Sequence, residues 1–294
     1  LVSGFKVSLY KNRKMLVEEL IRTLSAFGLD HGVRAADHED NRHRDLQVSS
    51  IQTEASRVLK KKMWQLHEAD RVIIDEAHIN TGATAKTLLD LHLLQGAKYV
   101  GLTATPLDIG ELYDHLIVPT TLAELRECGA LILANHFGPD EPECRKIKGK
   151  EKETWELSEE DIRREMKCKK IFGRVFETFN QLNPEHKPSI LFAPGVPESL
   201  WFAEEFSKRG IEAAHIDGET CFYQGERHDS DREIRNEILR ASRAGECAII
   251  CNRFVLREGI DAPWLAHGIF ATIFGSLQSY LQSGGRLLRN HHSL

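Results

Sequence analysis

Apolar residues along this chain follow two rhythms. Short runs rich in β-branched and aromatic residues, FKVSLY, LQVSS, RVIIDEA, KYVGLTA, SILFAP, AAHIDG, CAIICN and HGIFATI, read as buried strands. The stretches between them have helical spacing. In RKMLVEELIRTLSAFG, Met15, Leu16, Leu20, Ile21, Leu24 and Phe27 recur on one face, and Gly28 marks the stop. Strands and helices taking turns predict parallel α/β sheets. The alternation is broken between 138 and 170, where GPDEPECRKIKGKEKETWELSEEDIRREMKCKK is highly charged and nearly free of aliphatic residues. The pattern therefore predicts a first domain over 1–137, a charged connector over 138–170 and a second domain over 171–294.

Composition changes this picture little. A chain of 294 residues can bury two cores of ordinary size. A net charge of -5 with 28% charged residues describes a soluble globular protein and selects neither nucleotide nor nucleic acid as partner. The six cysteines form no CxxC pair, which argues against a zinc site or a disulfide framework and for reduced thiols. No apolar run approaches the roughly 18 residues of a membrane span, and the first residues lack a basic-then-apolar leader, so the expected location is the cytoplasm, with no membrane partner.

Candidate chemistry begins at RVIIDEAHIN, where a strand runs into Asp75, Glu76 and His78. In parallel α/β sheets functional groups gather at the carboxyl ends of strands. Two adjacent carboxylates there suit nucleotide hydrolysis, since one can hold Mg²⁺ and its neighbour can position the attacking water. KYVGLTATP ends another strand in Thr103 and Thr105, whose hydroxyls could hydrogen-bond those carboxylates. VLREGIDAPWL places Gly259 and Asp261 in a turn after CAIICN, where glycine permits close backbone approach to a ligand. QSYLQSGGRLLR sets Gln282 and Gly285 before Arg286 and Arg289, two arginines three apart on one predicted helix face, a spacing able to clamp a phosphate. Taken singly, each motif also has a structural reading: capping carboxylates, an ordinary strand end, a solvated arginine pair.

Together and in this order the motifs resemble the superfamily 2 DEAD/DEAH-type helicases and translocases, which have two RecA-like domains and bind ATP in the cleft between them. DEAH, TAT, REGIDAP and QSGGRLLR look like that family's motifs II, III, V and VI. KNRKMLVEEL, VSSIQT, ILFAP and HIDGET stand where further family segments fall, and GIDAPWL is similar to the bacterial and phage DNA helicases akin to type III restriction subunits and repair translocases. The resemblance implies that Asp75 holds Mg²⁺, that Glu76 activates water, and that His78 with Thr103 and Thr105 couples ATP to domain movement. It implies that Gly259, Asp261 and Gln282 sense the nucleotide, and that Arg286 and Arg289 reach the γ-phosphate, Arg289 as arginine finger. Nucleic acid, DNA rather than RNA, is expected along a face carrying Arg13, Lys14, Gln52, Thr53 and Phe192.

One departure outweighs the matches. No GxxxxGK[ST] phosphate loop occurs in the 294 residues. FKVSLYKNRKM reads as the strand and turn that follow such a loop and its helix, so the expectation is an N-terminally truncated helicase with an incomplete first domain. The loop's charge-assisted bonds to phosphate are worth about 1.5–3 kcal/mol each, and three of them amount to about a thousandfold or more in affinity. This chain alone is therefore expected to hydrolyse ATP negligibly. Two rivals remain from the residues: a nucleic-acid-binding module without ATPase activity, and a metal hydrolase built on Asp75, Glu76 and His78, which lacks further evident ligands.

Overall fold

The computed structural model describes residues 4–12, 14–38, 41–106, 109–138, 168–253, 262–274, 277–285 and 287–289. The chain divides into two compact units, Leu1–Ile117 and Val118–Leu294. Residues 118–137 thus group with the second unit, earlier in the chain than the sequence pattern suggested, and most of the 138–170 connector lies outside the described residues.

The first unit is built on five parallel strands in the order β2-β3-β1-β4-β5. These are β1 Val7–Lys11, β2 Gly32–Arg34, β3 Leu46–Ser50, β4 Arg71–Asp75 and β5 Lys98–Leu102. Helix α1, Lys14–Ala26, covers one face, where Val17 and Leu24 pack with Val7, Leu46 and Val48. The other face carries α2, Ile51–Glu54, a π-helix, Ala55–Lys60, and α3, Ala83–Leu94. There Leu88 and Leu89 meet Tyr10, Val72 and Ile74. Burial on both faces explains why these strands read as continuous apolar runs rather than alternating ones. At the edge, β5 is different: Val100 and Leu102 are 52% and 50% exposed. The chain leaves β1 toward β2 and β3 on one side but leaves β4 toward β5 on the other, so the carboxyl ends of β1 and β4 flank a topological switch point.

The second unit opens with α4, Leu122–Glu127, closed by a capping box between Thr121 and Glu124, and α5, Cys168–Leu182. Its six-stranded sheet has the order β11-β6-β10-β7-β8-β9. Strands β6 Ser189–Phe192, β7 Ala213–Ile216, β10 Ile249–Asn252 and β11 His267–Phe270 are parallel. Phe172, Phe202 and Phe206, from α5 and α6 (Val196–Ser207), fill one face, while Ile238 and Ala241 of α7, Arg232–Ala244, fill the other. The α/β class with RecA-like parallel sheets is thus the observed one. An antiparallel hairpin, β8 Thr220–Tyr223 and β9 Glu226–Asp229, extends the second sheet where the hydrophobic pattern suggested only a link. Gln224 and Gly225 turn it with φ of 52° and 82°, the left-handed pair that a tight hairpin demands. Among the described residues no helix is long and apolar enough to cross a membrane.

Candidate nucleotide site and its surroundings

Asp75 is the last residue of β4 and sits at the switch point beside Lys11, the last residue of β1. The Lys11 ammonium donates to the Asp75 carboxylate, and both side chains stay partly open to solvent. Glu76 follows at φ 49° and ψ 54°, a left-handed conformation rare for a residue with a long side chain. This backward turn breaks the strand path and starts a single 3-10 turn, Ala77–Ile79, that carries His78. Asn80 braces the turn, its amide donating to the backbone oxygens of Asp75 at 3.2 Å and Glu76 at 3.3 Å. A left-handed residue held by side-chain bonds at a strand end fits a site whose geometry is maintained against local preference, since such a conformation costs about 1–3 kcal/mol.

His78 is buried, and its Nδ1 lies 2.7 Å from the Thr103 hydroxyl, 3.4 Å from the Thr105 hydroxyl and 3.4 Å from Glu76 Oε2. The Thr105 N–H also donates to Thr103 Oγ1 at 3.0 Å, so the strand end after β5 is tied to the turn after β4. Here the structure corrects the sequence reading: the two threonine hydroxyls meet the histidine, not the carboxylates. The reason is the turn itself, which swings His78 back over β5. Gly101 in β5 is needed nearby, because a Cβ there would lie 2.5 Å from the Tyr113 ring.

Other sequence candidates are distributed less compactly. Gln52 and Thr53 lie in α2 just past the carboxyl end of β3, where the Ser50 hydroxyl caps the helix by accepting from the Thr53 N–H. Gln52 is exposed and Thr53 partly so. Lys14 opens α1, and Arg13 lies outside the described residues. Phe192 is a correction: it is fully buried, stacked on Phe270 at 5.5 Å, and its side chain cannot touch a nucleic acid. Its ring belongs to the core on the α7 face of the sheet, with Ile190, Ile238 and Ile250. Gly259, Asp261 and Arg286 fall outside the described residues. Gln282 is on α8, Leu277–Gly285. The helix is described to Gly285, and Arg289 lies beyond it rather than on the helix expected to carry it. Paired glycines at 284 and 285 end the helix, and exposed Arg289 instead forms a bridge with Leu131. Leu287 packs over β11 where a Cβ on Gly268 would leave no room, at 2.0 Å from its Cδ1.

Sequence reasoning assigned no role to Lys11 and Asn80, although they lie in KNRKMLVEEL and RVIIDEAHIN. It also missed a polar chain in the second unit. Ser199 Oγ lies 2.7 Å from His215 Nδ1, and His215 Nε2 lies 3.0 Å from Asp217 Oδ2. Asp217 also accepts from the N–H groups of Glu219 and Thr220 and from the Thr220 hydroxyl. Burial alone would raise its carboxyl, but the Thr220 and Glu219 N–H groups, with His215, outweigh that and hold it at about 2. Burial lowers His215 from its ordinary value, against the opposing pull of the Asp217 carboxylate beside it. The order serine, histidine, aspartate is that of a nucleophilic relay, yet Ser199 and His215 are fully buried, which bars substrate. The chain instead fixes the turn after β7, where Arg235 donates to the Asp217 and Gly218 carbonyl oxygens.

Asp75 and Glu76 are the carboxylates available for a cation at the switch point. Mg²⁺ suits them, since it is held by one or two carboxylates together with waters and substrate phosphates. A zinc cage does not, because no group of three His, Cys, Asp or Glu gathers among the described residues.

Comparison with known proteins finds a family match in the second unit and relatives of the fold. Residues 173–291 match the helicase conserved C-terminal domain. The chain is 25% identical over 238 residues to a 51.5 kDa protein of Lactococcus phage (isolate 7-9), covering 79% of this chain and 49% of that one. It thus spans about half the length of the curated relative it matches. Among solved structures, a fragment assigned to the HsdR subunit of a type I restriction enzyme from Vibrio vulnificus YJ016 superposes with TM-score 0.63 at 16% identity, covering 98% of this chain and 50% of that one. The DUF1998 helicase MrfA bound to DNA gives TM-score 0.59 at 15% identity, covering 97% and 38%.

Proposed function

We propose that this chain, which has the fold of the superfamily 2 helicases and carries a helicase conserved C-terminal domain in its second unit, is the motor part of an ATP-dependent nucleic-acid helicase or translocase acting on DNA. The observation that carries the reading is the placement of Asp75 and Glu76 at the carboxyl end of β4, beside a switch point, in a chain whose other unit has that domain. In this reading Asp75 holds Mg²⁺, Glu76 orients the attacking water, and the link from His78 to Thr103 and Thr105 passes nucleotide state to the rest of the unit. Arg286 and Arg289, with Gly259, Asp261 and Gln282, serve the nucleotide from the second unit.

Strand β5 is the last in the sheet order among the described residues, which leaves room for a further strand beside it. The test has two arms. In the full-length protein, DNA should stimulate ATP hydrolysis, and Glu76→Gln should abolish it. The 294-residue chain alone should bind ATP too weakly for stimulated turnover. Stimulated turnover surviving Glu76→Gln would refute the role of Glu76. The ATPase-dead binding module stands instead if the full-length protein binds DNA with no hydrolysis under any condition.

A further inference from the structure

At the opposite, amino end of the first sheet lies a cleft of about 510 Å³ that none of the motifs above uses. Lys6, which precedes β1, and Asp45 and Glu68, just before β3 and β4, place it there, and Arg42, His43 and Arg44 form its exposed rim. Beside it, Trp64 gathers three guanidinium groups, with Arg57 at 4.2 Å, Arg34 at 4.9 Å and Arg42 at 5.6 Å from its ring centroid. Like charges do not collect without a cause, and the negative face of an indole supplies one. Arg34 is neutralised by Glu54, a buried bidentate partner at 2.7–3.1 Å, and so serves the wall. Arg44 is paired with Asp30 on the surface at 2.6 Å, and Lys6 with Glu68 at 3.5 Å, both open pairs that salt or a stronger anion can displace.

The cleft lining holds four cations, Lys6, Arg34, Arg42 and Arg44, against two acids, Asp45 and Glu68. Residues 55–67, ASRVLKKKMWQLH, which run down from the π-helix to the amino end of β4, include Arg57, Lys60, Lys61 and Lys62 and no acid, in a chain whose net charge is -5. Lys60, Lys61 and Lys62 are exposed. Lys62 sits at φ 49°, turning the chain so that Met63 enters the cleft wall. An open groove rimmed by arginines, with an aromatic ring beside it and an exposed lysine run leading in the chain to its Met63 wall, fits an extended chain of regularly spaced phosphates better than a compact ligand.

We propose that this amino-end cleft is a second nucleic-acid contact, binding the phosphodiester backbone through Arg42, Lys61 and Lys62. It is separate from the carboxyl-end face that carries Gln52, and it does not depend on nucleotide hydrolysis. A nucleic acid held at both ends of the first sheet would stay on the protein when the carboxyl-end grip is released.

The test uses the 294-residue chain and a fluorescently labelled single-stranded oligonucleotide, titrated at several salt concentrations. The variant Arg42→Glu/Lys61→Glu/Lys62→Glu should weaken binding about tenfold or more and flatten the dependence of log affinity on log salt by about 1.4–2.1, the equivalent of two or three phosphate contacts. Gln52→Ala serves as the comparison at the other face. Loss with Gln52→Ala and none with the triple reversal would overturn the amino-end site while leaving the proposed motor untouched. Failure of ATP hydrolysis in the full-length protein, with the triple-reversal effect intact, would overturn the motor and leave this site standing. Should the reversed variant not fold by circular dichroism, photocrosslinking of wild-type chain to bromodeoxyuridine oligonucleotide decides: crosslinks mapping to residues 57–68 support the site, and their absence overturns it. Binding of a labelled polyglutamate peptide at concentrations where oligonucleotide does not bind would also overturn it, by showing an acidic protein partner instead.

Discussion

The polar cluster at the end of β4 and the one at the end of β7 use similar groups to opposite effect. In the first unit Asp75, Glu76, Lys11 and His78 crowd a strand end that remains partly open, and Glu76 is held in a backbone conformation it would not choose. In the second, Ser199, His215 and Asp217 form a chain with the composition of a catalytic relay, but Ser199 and His215 are sealed from solvent and the donors around Asp217 come from its own turn. Residue types alone would nominate the second cluster. Access and strain nominate the first, because chemistry needs substrate to arrive and structure does not.

The comparison can be broken most forcefully at Glu76. In the full-length protein Glu76→Gln should lower DNA-stimulated ATP hydrolysis by about a thousandfold or more, since water positioning is lost. The same substitution, at a partly exposed position, should shift the melting temperature by no more than about 2 °C. A large fall in stability with unchanged turnover would reverse the roles assigned to the two clusters.

Asp217→Ala should do the reverse. It leaves the Glu219 and Thr220 N–H groups and His215 without their acceptor, at a cost of about 3 kcal/mol to the second unit, read by urea unfolding. Hydrolysis per folded molecule should stay near wild type. Ser199→Ala is the milder version: it removes one buried partner of His215 and should cost about 1–2 kcal/mol.

Acid offers the smallest and most graded test. His215 is held below its ordinary value by burial, so its contribution to stability is present above about pH 6.5 and declines as the pH falls below that. Asp217 is held at about 2, so its contribution is present above the usual carboxylate value near 4 and is lost as the pH falls toward 2. Thermal melts of the second unit should therefore weaken in two stages, and Asp217→Asn should remove the lower one. A single stage, unchanged in that variant, would mean the relay is not what holds the β7 turn.

Much of the fold was legible because strands buried on both faces leave a plain signature. All eight runs read as strands are strands, including RVIID with its carboxylate at the end. The hairpin β8–β9 was not legible, since ERHD has neither apolar alternation nor β-branched residues and is held as an edge by its partner strand. Glu76 and His78 were legible as candidates, yet the partner of the Thr103 and Thr105 hydroxyls was not. That depended on a left-handed turn at Glu76, which no local preference of glutamate predicts. Arg289 was misplaced for a similar reason: spacing assumed a continuing helix, and the glycines at 284 and 285 stopped it.

The sequence by itself determined eight of the strands, that they alternate with helices in two sheets, and that a carboxylate pair falls at the end of one of them. Periodicity and strand ends are local properties, written in consecutive residues. Only tertiary structure decided that β1 and β4 are neighbours across a switch point, which puts Lys11 on Asp75, and that His215 is closed while Asp75 is open. Strand order and burial are set by which distant surfaces pack together, and a linear pattern carries no record of that choice.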